Sequence, residues 1–208
     1  AQRSVGWVTY LMGQKLNLVP VSRKNWDDLF PPRKEKPEPI FDYDLAYCGE
    51  TTENKVGRVA EFLKKNGLDA YLFVAPDSVS YLLNKRSLWV PEYPVVFRRL
   101  IVFSDASFRE LSDDLSDLKG KKVGLDLRAA PMAIFQKVKA VAEISDMPDM
   151  VEDMKAVKNT VEQQNIRQAC LFESRVICRF LAYVERHKAE MDELSCAVKL
   201  KELRSESP

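Results

Sequence analysis

Apolar positions recur along this chain in two rhythms, one with the period of a helix and one in short continuous blocks. After Thr51-Thr52-Glu53, the residues Val56, Val59, Ala60, Phe62 and Leu63 return on one helical face. The two hydroxyls are placed to cap the first free N–H groups, and Asn66-Gly67 tolerates the left-handed backbone that closes a helix. The next block, Ala70 to Ala75 (AYLFVA), is nearly all apolar and too short for a helix, which predicts a strand covered on both faces. Pro76-Asp77-Ser78 then caps a further helix, Val79 to Asn84. Leu100–Phe103 and Lys122–Leu127 predict a second and third central strand, and Pro131–Val141 a helix with proline in its first turn. Helices alternating with short buried strands define an α/β fold with a mixed sheet flanked by helices.

The flanks read differently. Residues 5 to 12 suit a helix, and Leu16–Val21 a short strand held to an edge by Pro20. Phe30 to Ile40 carries four prolines in eleven residues, a run that excludes helix and central strand and marks a domain connector. From Thr160, apolar residues from Val161 to Val184 follow helical spacing for more than twenty residues, and a second helix spans Glu193–Leu203. No strand follows them, so their apolar stripe has no evident cover and the C-terminal end reads as cut off; the first residue is not Met, so the start reads as incomplete too. Only eighteen residues separate the strands ending at Phe103 and beginning at Lys122. LIVFSDAS there looks like a strand whose hairpin partner never arrives, which suggests residues absent near Asp105 to Arg109.

Composition narrows the function classes. Hydrophobic residues make up 46% and charged residues 30%, the balance of an ordinary globular chain. Thirty-two basic against 31 acidic side chains leave a net charge of +1, with no electrostatic reason to expect nucleic acid or an anionic membrane as partner. No apolar run has the length of a membrane span. Cys48, Cys170, Cys178 and Cys196 are widely spaced and form no CxxC pair, so buried free thiols and a cytoplasmic location are expected.

Candidate chemistry is sparse. His187 is the sole histidine and sits among charges near a helix end, where the dipole favours it on the surface. Asp113, Asp114 and Asp117 read as one solvated face. Three segments carry more information. Asn25 to Glu50 keeps Pro37, Pro39-Ile40 and Tyr47-Cys48-Gly49-Glu50 at set spacing; Tyr81 to Phe97 reads YLLNKRSLWVPEYPVVF; and Met154 to Glu185 places Lys155, Lys158, Asn159, Glu162 and Arg167 in order.

Taken together, these segments resemble aminopeptidase P, of the creatinase/prolidase superfamily, in its long three-domain form. The resemblance implies that residues 1–45 are the tail of a preceding creatinase-like domain and a proline-rich connector. Residues 46–157 would be a middle α/β domain of creatinase/prolidase N-terminal type, and residues 158–208 the first helices of a pita-bread catalytic domain. It implies a parent that removes the first residue from peptides with proline second. Such a parent uses two divalent ions, usually manganese, and often forms homodimers. The metal ligands of the family lie downstream of residue 208, so neither a metal ligand nor a catalytic residue is assigned here and this chain alone is expected to be inactive. The loop after residue 83 approaches the cleft in that family, making Asn84, Arg86 and Tyr93 the substrate-cleft candidates. Ser87 stands where glycine is usual, Tyr93 where asparagine precedes proline, and Cys170 where histidine is common. Those departures also suit a different class of parent, a non-catalytic pita-bread protein used for binding, as in histone-chaperone relatives.

Overall fold

In the computed structural model, residues 3–14, 16–19, 39–90 and 93–206 are described. They divide into two compact units, one within residues 1–157 and one within 158–208. The proline-dense connector is outside the described residues except at its end. Of the strand expected at Leu16–Val21, Leu16–Val19 has no regular structure and the rest lies outside the described residues.

The first unit is built on a five-stranded sheet. Its strands are β2 (Ala70–Phe73), β4 (Leu100–Phe103), β5 (Phe108–Glu110), β6 (Lys122–Leu125) and β7 (Glu143–Asp146), in the spatial order β5-β4-β2-β6-β7. β2, β6 and β7 run parallel, while β4 is antiparallel to both β2 and β5. The period of two in a strand sorts side chains onto two faces. Tyr71, Phe73, Leu100 and Val102 face one core, shared with Val56, Val59 and Leu63 of α3 (Thr52–Lys65), Val79 and Leu82 of α4 (Pro76–Leu83) and Val151 of α6 (Val151–Ala156). Ala70, Leu72, Ile101, Val123 and Leu125 face the other, closed by Val5 of α1 (Val5–Gly13) and by Ile134 and Val138 of α5 (Met132–Lys139). All four residues of β2 are buried, as the continuous apolar block predicts. Gly124 is the one break in the pattern. A Cβ there would meet the Tyr71 ring at 2.5 Å, so the missing side chain is what makes room for that ring.

Local signals explain the helix ends. Thr51 caps α3, its hydroxyl accepting from Asn54 N. At the other end Leu68 N donates to Leu63 O at 2.9 Å and Gly67 N to Lys64 O at 3.2 Å, with Gly67 at φ +62°, a Schellman closure in which Leu63 and Leu68 share the core. α4 departs from expectation. It starts at Pro76, its N-cap is Ala75, and no side chain caps it; proline at the first position has no N–H to leave orphaned. α1 docks through Val5 N to Ala130 O and Gly6 N to Leu127 O, both 2.9 Å.

Leu100–Phe103 does have its hairpin partner. β5 pairs antiparallel with β4, joined by a tight turn in which Ala106 takes φ +67° and Phe103 N donates to Ser107 O at 2.8 Å. The expectation that no partner arrives is therefore corrected. Phe-Arg-Glu carries too little apolar signal over three residues to announce a strand at a sheet edge. β7 and β3 (Lys85–Ser87) are likewise short and polar, β1 (Ile40–Asp42) is only short, and β1 and β3 pair antiparallel as a separate ribbon.

The second unit is a pair of helices, α7 (Thr160–His187) and α8 (Glu193–Ser205). Both start on reciprocal caps. Asn159 Oδ1 accepts from Glu162 N while the Glu162 carboxylate accepts from Asn159 N at 2.9 Å, and Asp192 and Ser195 do the same for α8. A bidentate Arg204–Glu173 ion pair and a single Arg179–Glu206 contact tie α8 to α7. Among the described residues of this unit only Val176 and Leu203 are buried, and Ile166, Leu171, Leu181 and Leu194 are exposed.

All four cysteines are free, but only Cys48 is buried; Cys170 and Cys178 are exposed on α7, which corrects the expectation of buried thiols throughout. Residues eight apart lie about 80° from each other around a helix, and α7 is exposed at both positions.

Candidate functional site

The β1–β3 ribbon, the end of α4 and the short helix α2 (Leu45–Cys48) meet at one corner of the first unit, built around Asn84. Asn84 is the C-cap of α4 and adopts the left-handed conformation, φ 49° and ψ 45°, which asparagine tolerates better than other side-chain-bearing residues. Its polar atoms are committed on every side. Oδ1 accepts from Lys55 Nζ at 2.7 Å, Nδ2 donates to Glu50 O at 2.8 Å, and the backbone carbonyl accepts from Tyr43 N at 2.7 Å.

Lys55 is the unusual member of this corner, since its side chain is buried at 1% exposure. The ammonium donates to Tyr81 O at 2.9 Å and stands 3.8 Å from the centre of the Tyr81 ring. Burying a charge on this scale is tolerated only where donors meet acceptors, and no buried side-chain N or O atom among the described residues lacks a partner. Glu50, whose carbonyl holds Asn84, also pairs its carboxylate with Arg58 at 2.8 Å.

Two residues farther on, Arg86 sits in β3 half-buried. Nη1 donates to Ser80 O at 3.1 Å and to Lys85 O at 2.9 Å, and the guanidinium plane lies 4.2 Å from the centre of the Tyr43 ring. Nε and Nη2 have no acceptor among the described residues. Burial draws its pKa below the usual guanidinium value, against the opposing influence of Tyr43 and Cys48. Asn84 and Arg86 are thus brought together through Tyr43, one by a backbone hydrogen bond and one by ring contact.

Tyr93 belongs to a different group. Its ring packs edge-on against Phe97 at 6.1 Å, and Trp89 meets the same Phe97 at 5.7 Å, making an exposed aromatic cluster. Ser87 ties the start of this loop, its hydroxyl accepting from Trp89 N at 3.1 Å. Ser80 ties its end, accepting from Val96 N at 2.7 Å. Tyr93 makes no hydrogen bond or ring contact with Asn84 or Arg86.

Lys55 and Tyr43 are the members of the corner that sequence reasoning passed over. The signal for Lys55 was present: it stands four residues before Val59 and eight before Leu63, on the apolar stripe of α3, where a charge needs a partner. Elsewhere the candidates resolve as structure. His187 Nδ1 lies 2.8 Å from Tyr183 O with the ring stacked on Tyr183 at 4.1 Å. Asp113 pairs with Lys137 and Asp117 with Arg109. Among the described residues no group of three or more His, Cys, Asp or Glu side chains is placed to hold a metal ion. No helix among them is long and apolar enough to cross a membrane.

Residues 31–108, which contain this corner, match the family described as Creatinase/Prolidase N-terminal domain. Over most of its length the chain is homologous to Xaa-Pro aminopeptidases. It is 27% identical to a probable Xaa-Pro aminopeptidase P of Coprinopsis cinerea across 94% of this chain and 39% of that relative. Identity is 27% to a Caenorhabditis elegans Xaa-Pro aminopeptidase (81% of this chain, 33% of the relative) and 25% to one from Drosophila melanogaster (95% and 38%). The chain therefore spans between a third and two fifths of the length of these relatives. Among solved structures, the fold matches the Caenorhabditis elegans X-prolyl aminopeptidase, a cytosolic enzyme with a di-nuclear active site, at a TM-score of 0.73 and 22% identity. That match covers 90% of this chain and 36% of the other. The Pyrococcus horikoshii prolidase matches at 0.52 and 18%, over 73% and 48%.

Proposed function

We propose that this chain is a supporting segment of a metal-dependent Xaa-Pro aminopeptidase, an enzyme that releases the first residue from peptides with proline second. The observation that carries the reading is homology to Xaa-Pro aminopeptidase P across 94% of the chain. In this reading residues 1–45 are the tail of a preceding domain and the connector, with α1 docked on the middle domain of residues 46–157. Residues 158–208 open the catalytic domain, and the division of the chain at Val157 and Lys158 supports that second boundary. Two divalent ions, manganese by preference, act in the parent; the described residues supply no ligand set for them, and this segment alone is inactive. The parent is a cytoplasmic homodimer that binds neither nucleic acid nor membrane. The peptidase names of the relatives do not favour the binding-protein alternative.

Within that reading Arg86 is the substrate-cleft residue, because its guanidinium is held by three fixed contacts and keeps unused donors for a peptide carbonyl or carboxylate. Asn84 sets the backbone that aims it, and Tyr93 offers an aromatic edge to the same substrate. The test is manganese-dependent release of the first residue from an Xaa-Pro peptide by the full-length protein. Arg86→Ala should lower kcat/KM about tenfold, mainly through KM. No turnover by the metal-loaded parent would overturn the enzyme assignment, and an unchanged kcat/KM in the variant would remove Arg86 from the cleft.

A further inference from the structure

On the other side of the first unit, the segment after β5 and helix α5 line a half-open cavity of about 330 Å³. That volume lies at the lower end of the range of small-molecule sites. Its floor is apolar: Leu111, Leu115, Ile134 and Val138, of which Val138 is fully buried and Leu115 and Ile134 are 9% exposed.

The rim is charged. Lys137 and Asp113 line it as an ion pair, Nζ to Oδ1 2.8 Å, and Arg99 lines it with no side-chain hydrogen bond or ion pair among the described residues. Two cations against one carboxylate leave the mouth with an excess positive charge. The segment carrying Ser112 and Asp113 is fixed in place by Arg109, whose guanidinium donates to Ser112 Oγ at 3.3 Å, to Asp114 O at 3.1 Å and to both Asp117 oxygens at 2.5–2.6 Å. The cavity is thereby preformed, which reduces the ordering cost of filling it.

We propose that this cavity binds a small carboxylate with a branched aliphatic body, the body on the apolar floor and the carboxylate on Arg99. The floor recognises shape without polarity, and a planar fork beside it recognises two oxygens. A cationic ligand meets the wrong sign at the rim, and a neutral one leaves the fork unused. Nothing in this site depends on peptidase activity.

The probe is 4-methylpentanoate, titrated calorimetrically into the full chain, with the isosteric 4-methylpentanamide as control and the Ile134 methyl resonance as reporter of place. Saturable binding with a Kd on the order of 1 mM is expected for the acid, as suits eight non-hydrogen atoms. The amide, and the acid on Arg99→Met, should each bind at least tenfold more weakly. Ala133→Leu, an exposed helix position that lines the cavity, should abolish both the heat and the Ile134 shift while leaving the melting temperature unchanged. Equal affinity for acid and amide would overturn the proposal, as would unaltered binding by Arg99→Met or no saturation below about 20 mM, roughly twentyfold above the expected Kd.

Discussion

The interior of the sheet and the corner around Asn84 lie in the same unit and are held by different physics. Phe73, Leu72 and Ile101 are each fully buried and apolar, so what they require is volume. The corner buries Lys55, Ser80 and Ser87, and what these require is partners in the right direction. Volume is forgiving of chemistry and intolerant of voids, whereas a hydrogen-bond network is the reverse. A site that must aim a guanidinium gains more from the second kind of support, because directed bonds fix orientation as well as position.

The contrast breaks first in the sheet, where the largest effect is expected. Phe73→Ala should cost about 3–5 kcal/mol, the sum of lost burial and the cavity left beside Tyr71 and Val102. Phe73→Leu should recover most of it, since the smaller apolar group refills part of the volume. Denaturant unfolding followed by tyrosine fluorescence measures both. If the two substitutions cost the same, volume is not what this position supplies.

At the corner the order of chemistry and volume reverses. Asn84→Gly keeps the left-handed backbone and deletes the side chain, leaving Lys55 Nζ and Glu50 O each short of a partner. About 2 kcal/mol should be lost. Asn84→Ala should lose about 1 kcal/mol more, because a Cβ without the compensating amide is strained at φ 49°. The same denaturant curves decide it: an alanine variant as stable as the glycine one would mean that the backbone conformation relaxes and the corner is not rigid.

This difference also explains what was legible in the sequence. β2 and β4 announce themselves because both faces of each strand are apolar, a property of consecutive residues. β3, β5 and β7 do not, since each is three or four residues long and mostly polar; β1 is only Ile-Phe-Asp, and its pairing joins Phe41 to Arg86 across forty-five positions. Asn84 and Arg86 were visible as candidates in a loop. What Asn84 does was not, because its partners Lys55 and Glu50 lie about thirty residues upstream. Asn159 and Glu162, noted only for their spacing, are a capping box that the Asn-x-x-Glu pattern itself encodes.

The smallest effect sharpens the comparison at the seam between the two regions, where two carboxylates near Lys155 respond to pH with opposite signs. Burial raises the pKa of Asp149 above the usual carboxylate value, against the Ser78 hydroxyl, the Val151 N–H and Lys155. Its proton is therefore held more tightly in the folded chain than in the unfolded one. The stability this gives is present below the unfolded value near 4 and declines as pH rises through the higher folded value. Burial also opposes ionisation of Asp77, but the hydrogen bond and charge of Lys155 outweigh it and leave its pKa lowered. That contribution is present above the unfolded value and is lost as pH falls. Asp149→Asn, which keeps an oxygen for the Val151 N–H, should raise stability at pH 7 and remove a falling slope that begins above the unfolded value near 4. Asp77→Asn should lower stability at pH 7 and remove a rising slope at acid pH. Urea midpoints of the two variants across pH 3–7 measure the slopes directly. Slopes of the same sign would show that Lys155 does not distinguish the two carboxylates, and that direction of bonding counts for less at this seam than at Asn84.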